Sequence, residues 1–255
     1  MTDLGQPDPA LFGEGPARDA RFTVVDQWAD CMNLPESDPE HEMEFYHRQM
    51  NEELNVLENC ARNLVEFRDV EWSIRKGIAR QAADEARHTA TYKRLYESRG
   101  GEIGRYPVMN FQYKILGKID NLAGRFAAQN RTFEADGLDA VTVAIEEAKA
   151  AGDTEVQAMY EIQQADEVLH VQYANAWIWK QVAQDPGVVM QVVRGVSQAL
   201  EGLAWVTARG GGDVTKYPMA VEERIEAGFS RAEAELAYEK NEQRRRAILA
   251  QRSDS

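Results

Sequence analysis

The chain has 255 residues, 44% of them apolar and 28% charged, an ordinary globular balance that argues against wholesale disorder. Its length permits one large domain or two small ones, with a core that needs no covalent staples. Forty-three acidic residues against 29 basic ones give a net charge of -14. That charge disfavours nucleic acid and anionic membrane as partners.

Two cysteines, Cys31 and Cys60, cannot make a disulfide framework, which points to a reducing compartment. No apolar run reaches the roughly 18 residues that a membrane helix needs. The best candidate, Val188 to Val206, carries Arg194 and Glu201. The first residues hold acids and prolines where a signal peptide needs a basic start and an apolar centre. The expectation is a soluble, cytoplasmic protein with no membrane partner.

Residues 1–36 contain four of the eight prolines and show no sustained period, so they are expected to form an extended or partly disordered arm. Ser37-Asp38-Pro39-Glu40 then has the form of a helix start. Met43, Tyr46, Met50, Leu54, Leu57, Ala61 and Leu64 follow at three- and four-residue steps, predicting an amphipathic helix to about Phe67. A second helix is expected from about Val70 to Ser98, stopped by Gly100-Gly101. A third begins near Tyr113, runs past Glu134 and is interrupted at Gly137 before continuing to about Ala151. A fourth spans about Thr154 to Gln184. An apolar helix from Val188 to about Ala208, the Gly210-Gly211-Gly212 break and a charged helix starting at a Ser230–Glu233 capping box complete the chain. No strand signal stands out. The expected class is all-α: residues 37–184 as a four-helix bundle, with C-terminal helices from 185–255 packed on it.

The most informative feature is an internal duplication. Gln81-Ala-Ala-Asp-Glu85-Ala-Arg-His88 and Gln163-Gln-Ala-Asp-Glu167-Val-Leu-His170 share the pattern Q-x-A-D-E-x-x-H, 82 positions apart, and both fall mid-helix. Residues three apart share a helix face, so each Glu and His can converge on one ion. Glu44-Phe45-Tyr46-His47 shows that a lone ExxH arises by chance, and it reads as a decoy, with His41 and His47 as surface residues.

A carboxylate-bridged metal pair needs one further carboxylate from the helix before each ExxH helix. Glu53 precedes Glu85 by 32 positions and Glu134 precedes Glu167 by 33. Both interrupt apolar stripes, where a charge is costly unless paired or bound to metal. Glu52 and Glu58 are the alternatives to Glu53. Glu52 shares its face with Gln49, Val56 and Asn59, a more polar stripe, so Glu53 is preferred. Asp84 and Asp166 read either as solvated acids or as acceptors that orient the histidine of the opposite motif. Tyr92 and Tyr173 are candidates to border a pocket, with core packing the commoner explanation for each. Trp177, Trp179 and Trp205 read as packing, and Cys60 as a small core hydrophobe.

At these residues the sequence resembles the ferritin-like di-iron carboxylate proteins: rubrerythrins, bacterioferritins, ribonucleotide reductase small subunits and di-iron monooxygenases. The resemblance covers about residues 39–184. Elements such as Glu134-Ala-Asp-Gly-Leu-Asp139 look most like an uncharacterised ferritin-like family. It implies an antiparallel four-helix bundle holding two iron ions, or manganese or a mixed manganese–iron pair, on Glu53, Glu85, His88, Glu134, Glu167 and His170. It further implies an oxidoreductase that takes dioxygen and an external electron donor to hydroxylate, N-oxygenate or desaturate a small organic substrate. Ferroxidase or iron-handling activity is the alternative. A tRNA hydroxylase is disfavoured by the charge, although Arg244-Arg245-Arg246 forms a local basic patch, and a metal-free helical scaffold comes last. The expected assembly is a monomer or homodimer.

Overall fold

The computed structural model describes residues 12–210, apart from 14, 32, 33 and 36, and residues 218–253. These are predominantly helical, and none of the described helices is long and apolar enough to cross a membrane. The first eleven residues of the expected arm, and Gly211 and Gly212 of the glycine break, lie outside the described residues. Tertiary contacts divide the chain into two units: residues 1–125 with 197–211, and residues 126–196 with 212–255.

The first unit is built on a helical hairpin, α1 (His41–Glu66) packed along α2 (Trp72–Ser98). Asp38, within the expected start, lies just before α1. Its carboxylate accepts the Glu40 N–H at 2.8 Å and its carbonyl accepts the His41 N–H at 3.0 Å. α1 buries Tyr46, Met50, Val56 and Cys60, and also Asn51, Asn55, Asn59 and Asn63 at four-residue steps. Asn51 and Asn55 donate to the Met109 carbonyl, and Asn63 accepts from Arg125. α2 buries Ile74, Ile78, Tyr92, Leu95 and Tyr96. It ends where Gly100 turns left-handed at φ 85°, letting the Gly101 N–H reach the Tyr96 carbonyl at 3.0 Å.

The arm is more ordered than its composition suggests. Val24–Val25 (β1) pairs in parallel with Val108–Met109 (β2), a two-residue ladder that the sequence did not signal. Arg18 binds Glu58 through both terminal guanidinium nitrogens and donates from Nε to Asn51, which ties the arm to α1.

The third predicted helix is broken differently from expectation. α3 (Phe111–Leu116) stops at Gly117, and α4 (Leu122–Ala128) restarts at Asn121, whose side chain accepts the Gly124 N–H at 2.7 Å. Residues Gln129–Glu134 wind as a π turn and lead directly into α5 (Ala135–Ala151). Gly137, the expected interruption, sits inside α5 without a break, because the helix carries its backbone bonds through it.

The second unit holds the other hairpin, α5 packed on α6 (Thr154–Gln184). Gly152, left-handed at φ 72°, closes α5, and Asp153 caps α6 by accepting the Val156 N–H at 3.0 Å. α7 (Val188–Val206) follows, and the boundary between the units falls within it and within α4. A short α8 (Val221–Glu226), which the sequence did not signal, lies against α5 and α6. It is fixed there by Arg224, which reaches Asp139 at 2.6 Å and Asp136 at 2.9 Å, while Asp139 also accepts the Ala220 N–H. Ala135, Leu138, Val168, Val171 and Ala227 form a core cluster with Phe229 packed on it. α9 (Arg231–Ser253) starts at the expected capping box: Ser230 Oγ and N–H both donate to Glu233, and the Glu233 N–H returns to Ser230 Oγ.

Candidate metal centre

In the α1–α2 hairpin Glu53 and Glu85 are equidistant from the turn, so at the common rise of about 1.5 Å per residue they reach the same level. His88, one turn beyond Glu85, joins them. Its Nδ1 lies 3.2 Å from Glu85 Oε2 and 3.5 Å from Glu53 Oε2. The second hairpin repeats the arrangement. His170 Nδ1 lies 3.3 Å from Glu134 Oε2 and 3.4 Å from Glu167 Oε2. Within each triad the ligand atoms fall within 4.8 Å of one another, and all six residues are at most 6% exposed. These buried Glu and His groups could hold a metal ion.

Two features fit that role. An ion held at about 2.1 Å by two donors at right angles sets them about 3 Å apart, close to the spacing in each triad. Glu167 Oε2 is also buried with no hydrogen-bond partner among the described residues. A carboxylate oxygen taken out of water without a donor is costly, and a cation would remove that cost.

The electrostatics of the two triads differ. Burial opposes a charge on His88, yet hydrogen bonds and the charges of Glu53 and Glu85 outweigh it and push the imidazole up to about 12. Glu53 is held below the usual carboxylate range: burial opposes this, but bonding to His88 and Gln49 prevails. In the other triad, burial and the neighbouring Glu134 charge push Glu167 up to about 8, against the pull of His170. Each triad thus favours a proton near the place a cation would occupy, so metal binding must displace protons and weakens as the pH falls.

The alternatives to Glu53 are engaged elsewhere. Glu58 pairs with Arg18, and Glu52 accepts from Gln112 at 3.0 Å. The expectation that Glu52 faces a more polar stripe with Gln49 is corrected: Glu52 is buried, and Gln49 donates to Glu53 instead. Burial, opposed by the Arg48 charge and the Gln112 bond, pushes Glu52 up to about 7. Asp84 is buried and bound on its own helix by Arg87 at 3.1 Å and Arg80 at 3.5 Å, and Asp166 is buried in α6. Tyr92 lies in a ring cluster with Phe45 and Tyr46, and Tyr173 packs edge-on to Phe126. Trp177 packs on Phe126, whereas Trp179, with the Arg131 guanidinium over its ring, and Trp205 are exposed. Cys60 is a buried core residue as expected.

A family model described as "Protein of unknown function (DUF455)" matches residues 4–235. The chain belongs to the DUF455 family. No curated protein and no solved structure matches it. Both triads of this DUF455 chain fall inside the matched region.

The decoy motif also needs correction. Glu44 is buried and paired with Arg48 at 2.8 Å. His47 is fully buried among Phe22, Tyr96 and Tyr106, not on the surface. Its Nε2 accepts the Gly104 N–H at 2.9 Å, which leaves the proton on Nδ1. Burial pushes this imidazole down from its ordinary 6.5 to about 4. A depressed folded pKa means that the unfolded chain takes up the extra proton first as the pH falls from 6.5 toward 4. Stability is therefore full above that window and is lost through it. Wild type should lose about 1–3 kcal/mol more across this range than His47→Gln, in denaturant unfolding at each pH. Equal losses would contradict the assignment of His47 as a buried neutral histidine.

Proposed function

We propose that this chain is a ferritin-like di-iron oxidoreductase that uses dioxygen to hydroxylate, N-oxygenate or desaturate a small organic substrate. The observation that supports it is the duplicated triad: the same Glu-plus-ExxH set recurs in two hairpins of one chain, buried both times and with the same histidine atom turned to both carboxylates. Glu53, Glu85 and His88 would hold one ion and Glu134, Glu167 and His170 the other. Oxygen donors with imidazole and no thiolate suit iron or manganese better than a structural zinc. Ferrous ions held there would supply the electrons for dioxygen reduction, to be restored by an external donor.

The chain's own residues do the rest. The two glutamates of each triad would balance the charge of one divalent ion, leaving each triad neutral overall. His88 and His170 turn Nδ1 toward the carboxylates of their own triads and would add the nitrogen donor there. Burial of all six side chains keeps bulk water from the reacting atoms. Tyr92 and Tyr173, one turn and three residues beyond the two histidines, would border the substrate's place.

The test is dioxygen consumption by anaerobically reduced, iron-loaded protein supplied with a chemical reductant. Sustained uptake at no more than two irons per chain supports the oxidoreductase. Uptake that stops unless further ferrous iron is added, with iron accumulating well beyond two per chain, would replace it with iron handling. No uptake would remove oxygen chemistry altogether.

A further inference from the structure

Resting on that metal reading, the surroundings of the triads carry a further assignment. Three of the four glutamates have one oxygen turned toward a histidine and the other held by a glutamine amide. Gln49 Nε2 donates to Glu53 Oε1 at 2.9 Å, while Glu53 Oε2 faces His88. Gln81 Nε2 donates to Glu85 Oε1 at 3.3 Å, while Glu85 Oε2 faces the same imidazole. Gln129 Nε2 donates to Glu134 Oε1 at 3.1 Å, while Glu134 Oε2 faces His170. Before the fourth, Glu167, stands buried Gln163, in the place that Gln81 takes in the first motif.

The structure assigns Gln49, Gln81 and Gln129 as positioning residues for metal: each ties down one carboxylate oxygen and leaves the oxygen on the histidine side for the ion. An amide suits this because it orients a carboxylate without cancelling its charge. Elsewhere on α1 the non-ligand Glu52 also accepts from a glutamine, Gln112, but Glu44 and Glu58 are tied down by arginine, Arg48 and Arg18 respectively. There the cation offsets the charge that a metal would need.

The backbone supports the same reading. In α1 and α2 the glutamine precedes its glutamate by four residues, one helical turn. Gln129 precedes Glu134 by five, which in an α-helix would place the two about 140° apart. This is where the chain winds as a π turn, whose i-to-i+5 closure brings them back onto one face. Thr132 Oγ1 donates to the Ala127 carbonyl, five residues back, within the same irregular stretch.

The experiment is an anaerobic cobalt(II) titration of the full chain, read by visible absorption. It compares wild type with Gln81→Met, Gln129→Met and Gln157→Met. Methionine keeps the volume and helix preference and removes the donor. Gln157 makes the same four-residue bond to Glu161 at 2.7 Å on the exposed side of α6 and serves as the control. Gln81→Met and Gln129→Met should each weaken cobalt binding about 10–100-fold and change the cobalt spectrum. Their metal-free melting temperatures should stay within a few degrees of wild type, and Gln157→Met should match wild type throughout.

Unchanged affinity and spectrum in the folded variants would overturn the assignment. So would a lower metal-free melting temperature with the metal-induced rise intact, since that marks a purely structural role. A wild-type protein that binds no cobalt would instead remove the metal reading itself, and the assignment with it.

Discussion

Glu85→Ala and Glu167→Ala should each cut the metal content from two ions per chain to one or fewer. Either change removes a unit negative charge and a donor from a buried triad, leaving a cation facing one carboxylate and an imidazole. Born-type desolvation then opposes binding with too little charge to offset it. The loss should exceed the roughly 10–100-fold that changes beyond the ligands produce. His47→Gln should keep full metal content even where it alters stability, because His47 sits in a ring cluster with Phe22, Tyr96 and Tyr106. Metal analysis after anaerobic loading and desalting checks this. Loss from His47→Gln equal to that from Glu85→Ala would mean that the wrong ExxH carries the metal.

The second large effect separates two adjacent residues of α1. Glu53→Ala should abolish dioxygen uptake by the reduced protein or slow it by about 100-fold or more, a barrier increase of about 2.7 kcal/mol. Glu52→Ala should retain uptake near the wild-type rate, although losing a buried side chain bonded to Gln112 costs stability. Neighbouring helix positions point about 100° apart, so the two side chains cannot exchange roles without rotating the helix. Stopped-flow mixing with oxygenated buffer is the measurement. Retained uptake in Glu53→Ala together with lost uptake in Glu52→Ala would contradict the ligand assignment and shift it by one residue.

Which parts of this molecule were legible in sequence follows from the range of the interactions involved. The triads were legible because helical period and hairpin length are local rules. ExxH places two donors on one face, and an upstream offset of 32 or 33 residues returns a carboxylate to the same level. The capping box at Ser230 and the stop at Gly100-Gly101 were legible for the same reason. Gly137 misled because a glycine inside a helix costs only about 1 kcal/mol, which the surrounding packing absorbs. The true break at Gly117 did carry a local signal, Asp120-Asn121, with Asn121 capping α4. The π turn did not: Gln129-Asn-Arg-Thr-Phe-Glu134 holds no proline or glycine, and its winding depends on what the side chains meet.

His47 and Glu52 misled for a different reason. Polar residues on a helix face read as solvent-exposed until distant segments cover them. For His47 these are the arm at Phe22 and the loop at Gly104 and Tyr106, and for Glu52 it is Gln112. The β1–β2 pair and α8 belong to the same class, since two-residue ladders and six-residue helices are held by tertiary partners such as Asp139 and Arg224 rather than by local preference. The glutamines beside the glutamates lay in plain view, Gln81 and Gln163 within the motif itself, but their meaning required seeing which oxygen Gln49, Gln81 and Gln129 hold.

The most direct measurement is the metal content of the wild-type chain, expressed with iron, reduced and reloaded without oxygen, then counted against protein concentration. Two buried triads of one imidazole and two carboxylates predict two tightly held ions per chain that survive desalting. A carefully loaded protein that emerges with no bound metal would contradict the account at its root.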